Sequence, residues 1–177
     1  MAKLTVAVSP EDHAEGNREA VCTLVEYGDY ECPHCGAAYQ VVKRLQKHFG
    51  DRLCFVFRNF PLSQMHPHAE VAAQTAEFAG SHGKFWEMHD LLFENQNDLE
   101  LANLHKLTKH LHLVPKELDT ALESQAYQAR VRADFVGGVR SGVNGTPTFF
   151  LNGRRIDRGS DYQSLLEVIE EEIAKTQ

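Results

Sequence analysis

The sequence predicts an α/β fold in which a helical block interrupts a sheet, and three observations carry this prediction. Residues 21–57 show a strand–helix–strand pattern, and spaced apolar residues continue at helical intervals from about 67 to 142. A hairpin signal and an amphipathic helix then close the chain. With 177 residues, 42% of them hydrophobic, the chain suits one domain that carries a sizeable insertion.

The first residues, Met1 to Val8, alternate apolar and polar side chains and are interpreted as a β-strand. They lack the apolar segment and cleavage site of a secretory signal, so we expect a cytoplasmic protein unless a leader was removed before residue 1. No apolar run approaches the roughly 18 residues of a membrane span. A formal charge of −7 offers no basic surface, so neither a membrane nor a nucleic acid is an expected partner.

The βαβ unit comes next. Val21 to Tyr27 is rich in β-branched residues and Leu53 to Phe57 is a short apolar run, and both patterns are typical of buried strands. Between them, apolar residues recur at helical spacing up to Phe49, and Gly50 supplies a helix stop. Such a unit has parallel strands joined by a right-handed crossover.

Helices and a hairpin make up the remainder. The expected helices lie near residues 68–80, 84–95, 100–112, 115–124 and 126–140. Thr148 to Leu151 indicates a strand, and Asn152-Gly153 a two-residue hairpin turn. Ser160 and Gln163 are interpreted as a capping box that opens the final helix.

The chemistry is expected in Cys32-Pro33-His34-Cys35, because Cys-x-x-Cys beside a βαβ pattern is typical of a thioredoxin-like redox motif. Cys32 ends a strand-to-helix turn, where free backbone N–H groups and the helix dipole favour a thiolate, and His34 can add positive charge. Such surroundings lower a thiol pKa from about 8.5 to about 3.5–7.5. Cys35 lies one turn later and is placed to resolve a mixed disulfide.

A structural zinc site is the alternative for this motif, and it normally needs four ligands. The other cysteines, Cys22 and Cys54, are single and fall on the predicted strands, where we expect buried, free thiols. The ten histidines, among them His66 and His68, are interpreted as solvated or packed side chains. No metal and no bound organic cofactor is therefore expected.

Four segments together resemble the DsbA-like branch of the thioredoxin superfamily. They are Glu26 to Cys35, Phe57 to Leu62, Gly83 to His89 and Gly142 to Phe149. The resemblance covers roughly residues 20–175 and implies a thioredoxin-like fold with an all-helical insertion. We assign residues 1–63 and 143–177 to the thioredoxin-like domain and residues 64–142 to the insertion.

The resemblance also implies roles for individual residues. Cys32 is expected to attack and Cys35 to resolve, while Pro33 and His34 suggest an oxidising pair. Pro147 is the expected cis-proline beside the dithiol, and Thr146 would offer backbone groups to an extended substrate. These six positions, together with Glu26, form the expected site.

Glu26 stands six residues before Cys32, where thioredoxin-like proteins carry a buried acid. Taken alone, a Glu in a strand leaves a solvent-facing position equally open. In the strand it shares a face with Cys22 and Leu24, so burial would raise its pKa and suit it to accept the Cys35 proton.

These observations predict a thiol–disulfide oxidoreductase that works through a mixed disulfide at Cys32. Its partners would be protein or peptide thiols and disulfides, glutathione, or another redox protein. Two alternatives stay open: a chaperone-like binding module whose dithiol is incidental, and a glutathione-dependent transferase or isomerase of related fold. The sequence leaves the substrate, the direction of electron flow and the oligomeric state undetermined.

Overall fold

A computed structural model describes residues 2–176, and its elements alternate as the sequence pattern predicts. The strands are β1 (His13–Gly16), β2 (Cys22–Gly28), β3 (Leu53–Asn59), β4 (Thr148–Leu151) and β5 (Arg154–Arg155). The helices are α1 (Pro33–Phe49), α2 (Ala69–Ser81), α3 (Phe85–Glu94), α4 (Leu101–His110), α5 (Pro115–Glu123), α6 (Gln128–Arg140) and α7 (Tyr162–Ala174).

Within the described residues the strands form one mixed sheet in the order β1-β3-β2-β4-β5. β2 and β3 are parallel and connected through α1, which confirms the predicted βαβ unit. β1 lies antiparallel to β3, and β4 antiparallel to β2. β3 extends two residues past the predicted Phe57, because Arg58 and Asn59 still pair with Tyr27 and Gly28.

Five helices, α2 to α6, lie between β3 and β4, each within about two residues of its predicted bounds. Their core is continuous with that of the sheet. Leu24 and Phe57 of the sheet belong to the same buried cluster as Met88 and Leu92 of α3. The helical block therefore buries its apolar side chains against the sheet instead of enclosing a core of its own.

The two faces of the sheet have separate cores. Cys22 lies in the cluster covered by α1, α3 and α7, whereas Cys54 lies in the opposite cluster with Val56 and Phe150. Both thiols are buried and free, as predicted. Since they face opposite sides of the sheet, their side chains point away from one another.

A buried ion pair stands at the edge of the second core. The Arg58 guanidinium donates to both carboxylate oxygens of Asp12, at 2.8 and 2.9 Å, and to the Tyr27 hydroxyl at 2.9 Å. It also donates to the carbonyl oxygens of Val6 and Ala7. Arg58 thus anchors the N-terminal segment onto the sheet.

The prediction of an N-terminal strand is wrong. Met1 lies outside the described residues, and between residues 2 and 8 only Lys3 forms a bridge, with Arg154. Val6 and Val8 are 46% and 37% exposed, so the apolar alternation has no buried face. Carbonyl groups that a strand would use in its ladder are taken by Arg58, and the first strand begins at His13.

The predicted capping box is also wrong. The N-cap of α7 is Asp161, whose carboxylate accepts from the Ser164 backbone N–H at 3.0 Å. Gln163 turns outward and donates to Glu167 at 2.7 Å. An acidic N-cap one residue after Ser160 satisfies the free N–H group equally well, and the sequence pattern did not distinguish the two.

Candidate active site

Cys32 is the N-cap residue of α1, and Pro33 is the first helical residue. β2 ends at Gly28, and a tight turn follows in which the Cys32 N–H donates to the Asp29 carbonyl at 3.2 Å. Pro33 has a fixed φ suited to a first helical turn and lacks an N–H group that would stay unpaired there. The local sequence therefore places the Cys32 sulfur at the positive end of a 17-residue helix.

The pKa of Cys32 is lowered to about 5, and the largest cause is a hydrogen bond with the Cys35 side chain. Contacts with Thr146 and with the backbone N–H groups of Cys35 and His34 lower it further, against the opposing effect of burial. When protonated, the thiol donates to the Thr146 carbonyl oxygen at 3.6 Å. Cys32 is consequently a thiolate at neutral pH.

Cys35 has the opposite character. Burial, followed by the hydrogen bond with Cys32 and the charge of Glu26, raises its pKa well above the usual value. Its side chain is fully buried and accepts from the Asp29 N–H at 3.4 Å. One cysteine of the motif is therefore a ready nucleophile, and the other must lose a proton before it can attack.

Glu26 is 1% exposed and lies on the face of β2 that α1 covers. Its strand partners are Phe57 in β3 and Phe149 in β4, so aromatic side chains surround it. Burial, and then the negative charge of Cys32, raise its pKa to about 8. Its Oε1 has no hydrogen-bond partner among the described residues, so this carboxyl is both desolvated and available to a proton.

The loop before β4 forms the other wall of the site. The Thr146–Pro147 peptide bond is cis, and the carbonyl of Thr146 faces the Cys32 sulfur. The structure therefore brings Thr146 and Pro147 to the dithiol. His34, by contrast, has an exposed side chain, and only its backbone N–H is among the main causes that lower the Cys32 pKa.

Asp29 is a site residue that the sequence analysis missed. Its Oδ1 accepts from the Glu31 N–H at 2.8 Å, and its Oδ2 accepts from the Leu62 N–H at 2.9 Å. The same Oδ2 lies 2.8 Å from Nδ1 of His66. An Asp that bonds to the backbone two residues later is a turn signal, and this signal was available in the sequence.

Gln96, in the connection between α3 and α4, was missed as well. Its amide donates to the carbonyl oxygens of Tyr30 and Cys32, at 2.9 and 2.7 Å. No local signal predicts such a contact, because it joins positions more than 60 residues apart. The active-site turn is thus held from the sheet, from the loop after β3 and from the helical block.

Over residues 2–176, no group of three His, Cys, Asp or Glu side chains is arranged to hold a metal ion. In the same part of the chain, no helix combines the length and the apolarity that crossing a membrane requires.

A model of the thioredoxin family matches residues 8–171. Among curated proteins, Na(+)/H(+) antiporter NhaA 1 of Salinispora arenicola is 42% identical over 174 residues, which is 98% of this chain and 26% of that protein. The chain thus spans about a quarter of the length of the curated relatives it matches.

Two solved structures have similar folds. Oxidised BdbD from Bacillus subtilis superposes with a TM-score of 0.84 at 28% identity, over 92% of this chain and 93% of that one. Alpha-DsbA1 of Wolbachia pipientis superposes with a TM-score of 0.77 at 18% identity, over 96% of each chain. The second likeness bears on the fold alone.

Proposed function

Because the chain belongs to the thioredoxin family, in its DsbA-like branch, we propose that it catalyses thiol–disulfide exchange with Cys32 as the attacking thiolate. Its fold is the thioredoxin-like fold that the sequence predicts. One observation carries the assignment of roles: within a single Cys-x-x-Cys motif, the pKa of Cys32 is lowered to about 5 while that of Cys35 is raised.

In the first step the Cys32 thiolate attacks a substrate disulfide. A bond forms between Cys32 Sγ and one substrate sulfur, the substrate disulfide breaks, and the other substrate sulfur leaves as a thiolate. The helix N-terminus stabilises the attacking charge. The backbone of Thr146 and Pro147, facing Cys32, is placed to contact an extended substrate beside the reacting sulfur.

In the second step Cys35 attacks Cys32 Sγ, the Cys32–Cys35 disulfide forms, and the second substrate thiolate leaves. The substrate gains two electrons, and the dithiol loses them. Cys35 must first lose its proton, and Glu26 in its carboxylate form is the acceptor. The same steps in reverse oxidise a substrate dithiol, and the direction of net flow depends on the potential of the surroundings.

The test uses the reduced protein and oxidised glutathione, followed by a disulfide-containing model protein such as insulin. Wild type should exchange disulfides with both, Cys32→Ser should be inactive, and Cys35→Ser should accumulate a mixed disulfide at Cys32 that mass spectrometry detects. Cys54→Ser serves as the control, since that thiol lies in the core on the other face of the sheet from Cys32 and Cys35, and it should retain activity.

A chaperone-like binding module would give a different result. Wild type and Cys32→Ser would then suppress the aggregation of an unfolded protein equally, and neither would exchange disulfides. A glutathione-dependent transferase or isomerase would keep its activity in Cys35→Ser. Either result would exclude the proposed exchange reaction.

Proteins and peptides with thiols or disulfides are the proposed substrates, and glutathione or a second redox protein is the proposed partner. The cytoplasm, which the sequence analysis expects, is the proposed compartment. Fractionation of cells, with detection of this chain in each fraction, tests the compartment directly.

A further inference from the structure

Asp29 places a carboxylate inside the turn that carries both cysteines. Its side chain is fully buried, its carbonyl accepts from the Cys32 N–H at 3.2 Å, and its N–H donates to Cys35 Sγ at 3.4 Å. An unpaired carboxylate in this turn would oppose the formation of a second negative charge on the Cys32 sulfur. A cation that pairs with Asp29 therefore favours the thiolate.

His66 is the cationic partner of Asp29 within the described part of the chain. Its Nδ1 lies 2.8 Å from Asp29 Oδ2, whereas the other groups that bond to this carboxylate are the neutral N–H groups of Glu31 and Leu62. Backbone hydrogen bonds fix the position of His66. Its backbone N–H donates to the Leu62 carbonyl, and its carbonyl accepts from the Ala69 N–H. It is a fixed, mostly buried group and not a surface side chain that merely reaches the site.

The electrostatic surroundings of His66 favour its charged form. Burial by itself would lower the pKa of His66, but the hydrogen bond to Asp29, followed by the charges of Asp29, Cys32 and Glu31, raises it above its usual value. Asp29, which bonds to the imidazole, also accepts from the Cys32 N–H, so His66 and Cys32 are joined through one turn residue. Interaction between two charges is mutual, so an imidazolium here favours the thiolate, in addition to the hydrogen bonds with Cys35 and Thr146 that lower the Cys32 pKa.

We propose that His66, paired with Asp29, is a positioning residue that keeps a positive charge beside the Cys32 thiolate and thereby sets the reactivity of the dithiol. The inference deepens the proposed exchange reaction and rests on it. It transfers the role expected for His34 to a histidine 32 residues further along the chain, in the loop after β3.

His66→Gln tests the proposal, because Gln retains a donor for Asp29 and lacks the charge. We expect the Cys32 pKa to rise by about one unit, so that alkylation at pH 4–5 slows about tenfold. The equilibrium constant for oxidation of reduced glutathione by the Cys32–Cys35 disulfide at pH 7 should fall by a similar factor, which corresponds to about 30 mV in reduction potential. His66→Lys, which restores a cation, should return the Cys32 pKa toward the wild-type value.

His68→Gln is the matched control. His68 lies two residues further on and bonds through Nδ1 to Glu31 at 2.8 Å, so it too is a histidine paired with a carboxylate of the active-site turn. Its pKa is raised by Glu31 and Glu100, and Cys32 is not among the causes. His68→Gln should therefore leave the alkylation profile of Cys32 unchanged.

A second readout needs no variant and no substrate. Oxidation of the dithiol removes the Cys32 thiolate, so the pKa of His66 measured by NMR should fall on oxidation while that of His68 stays constant. If His66 titrates identically in both redox states, or if His66→Lys reacts as slowly as His66→Gln, the charge of His66 has no influence on Cys32 and the proposal is overturned. Failure of wild type to exchange disulfides with glutathione in either direction would instead reject the exchange reaction, since neither titration depends on turnover.

Discussion

Glu26 makes folding depend on pH. Its ordinary pKa of 4.5 is raised to about 8 in the folded chain, so the folded state holds a proton that the unfolded state releases. The resulting cost is absent below pH 4.5, grows as pH rises through the interval up to about 8, and is constant above it. At pH 7 it is on the order of 3 kcal/mol.

Glu26→Gln should remove this cost. We expect the reduced variant to be more stable than wild type by roughly 1–3 kcal/mol at pH 8. The gain is smaller than the full cost of ionising Glu26, because the buried amide still lacks a hydrogen-bond partner. The two proteins should be nearly equal at pH 4.5. Urea unfolding at both pH values measures the difference, and Glu87→Gln, at an exposed position, is the control. Equal stability of Glu26→Gln and wild type at pH 8 would contradict the raised pKa.

The same variant bears on catalysis. Without a carboxylate to accept the Cys35 proton, resolution of the mixed disulfide should slow, while the first attack by Cys32 should keep its rate. Stopped-flow measurement separates the two steps. A rate of resolution that matches wild type across pH 6–9 would show that Glu26 is not the proton acceptor.

At the level of single residues, the sequence predicted what local position determines. Cys32 follows a strand and precedes a helix, so its surroundings could be inferred from neighbours in the chain. Burial of Glu26 was one of two open alternatives until the resemblance was considered. His66 was interpreted as a solvated or packed histidine, because its pairing with Asp29 joins residues 37 positions apart. Such pairings depend on the tertiary fold.

The contact between α6 and the sheet depends on two adjacent glycines. A Cβ on Gly138 would lie 2.8 Å from the Phe60 ring and 2.9 Å from the Tyr27 ring, closer than packed atoms allow. On Gly137 the nearest neighbour would be the Val6 side chain at 3.3 Å, and Val6 is 46% exposed and free to shift. The two positions therefore differ in packing while sharing a helix.

We expect Gly138→Ala to destabilise the protein by about 1–2 kcal/mol, since overpacking outweighs the gain of up to about 1 kcal/mol in helix propensity. Gly137→Ala should be neutral or stabilising by less than about 1 kcal/mol. The midpoints of urea unfolding compare the two. If both variants lost the same stability, the close packing of α6 on Phe60 and Tyr27 would not be what limits position 138.

Elements with local signals were predicted well. Gly50, with φ of 54°, ends α1, and Asn152 and Gly153, with φ of 46° and 79°, form the hairpin turn. The short strand β1 was missed, since four residues ending in a glycine give little periodicity and the strand exists through its pairing with β3. The segment from 2 to 8 was assigned to a strand for its alternation, but the carbonyl groups of Val6 and Ala7 bond to Arg58 instead.

For the whole molecule, the shared core predicts cooperative unfolding. Trp86 is the only tryptophan, and it lies on α3 with its indole N–H donating to the Ala14 carbonyl of β1 at 3.2 Å. Its ring centroid is 5.7 Å from that of Phe55 in β3. Trp86 fluorescence therefore reports on the junction between the proposed insertion, residues 64–142, and the sheet.

We expect Trp86 fluorescence and far-ultraviolet circular dichroism to give coincident urea transitions with one midpoint. Because the buried cluster joins side chains of β2, β3 and α3, the helical block should not remain folded after the sheet is lost. Two separate midpoints would show that residues 64–142 form an independent unit. As a control, the Trp86 signal should report the same stability change for Gly138→Ala as circular dichroism does.

Gln96 links the helical block to the beginning of α1. Because of this contact, the surroundings of the dithiol would not be transferred with the motif alone to another protein. Its amide bonds to the carbonyl groups of Tyr30 and Cys32, and a Cβ on Gly36 would overlap it, so a side chain at position 36 would displace the Gln96 amide from these carbonyl groups. A Cys-Pro-His-Cys segment grafted onto another thioredoxin-like scaffold would carry the thiols without this support. The motif supplies the two thiols, whereas Gln96 of the helical block holds the turn from which Cys32 projects.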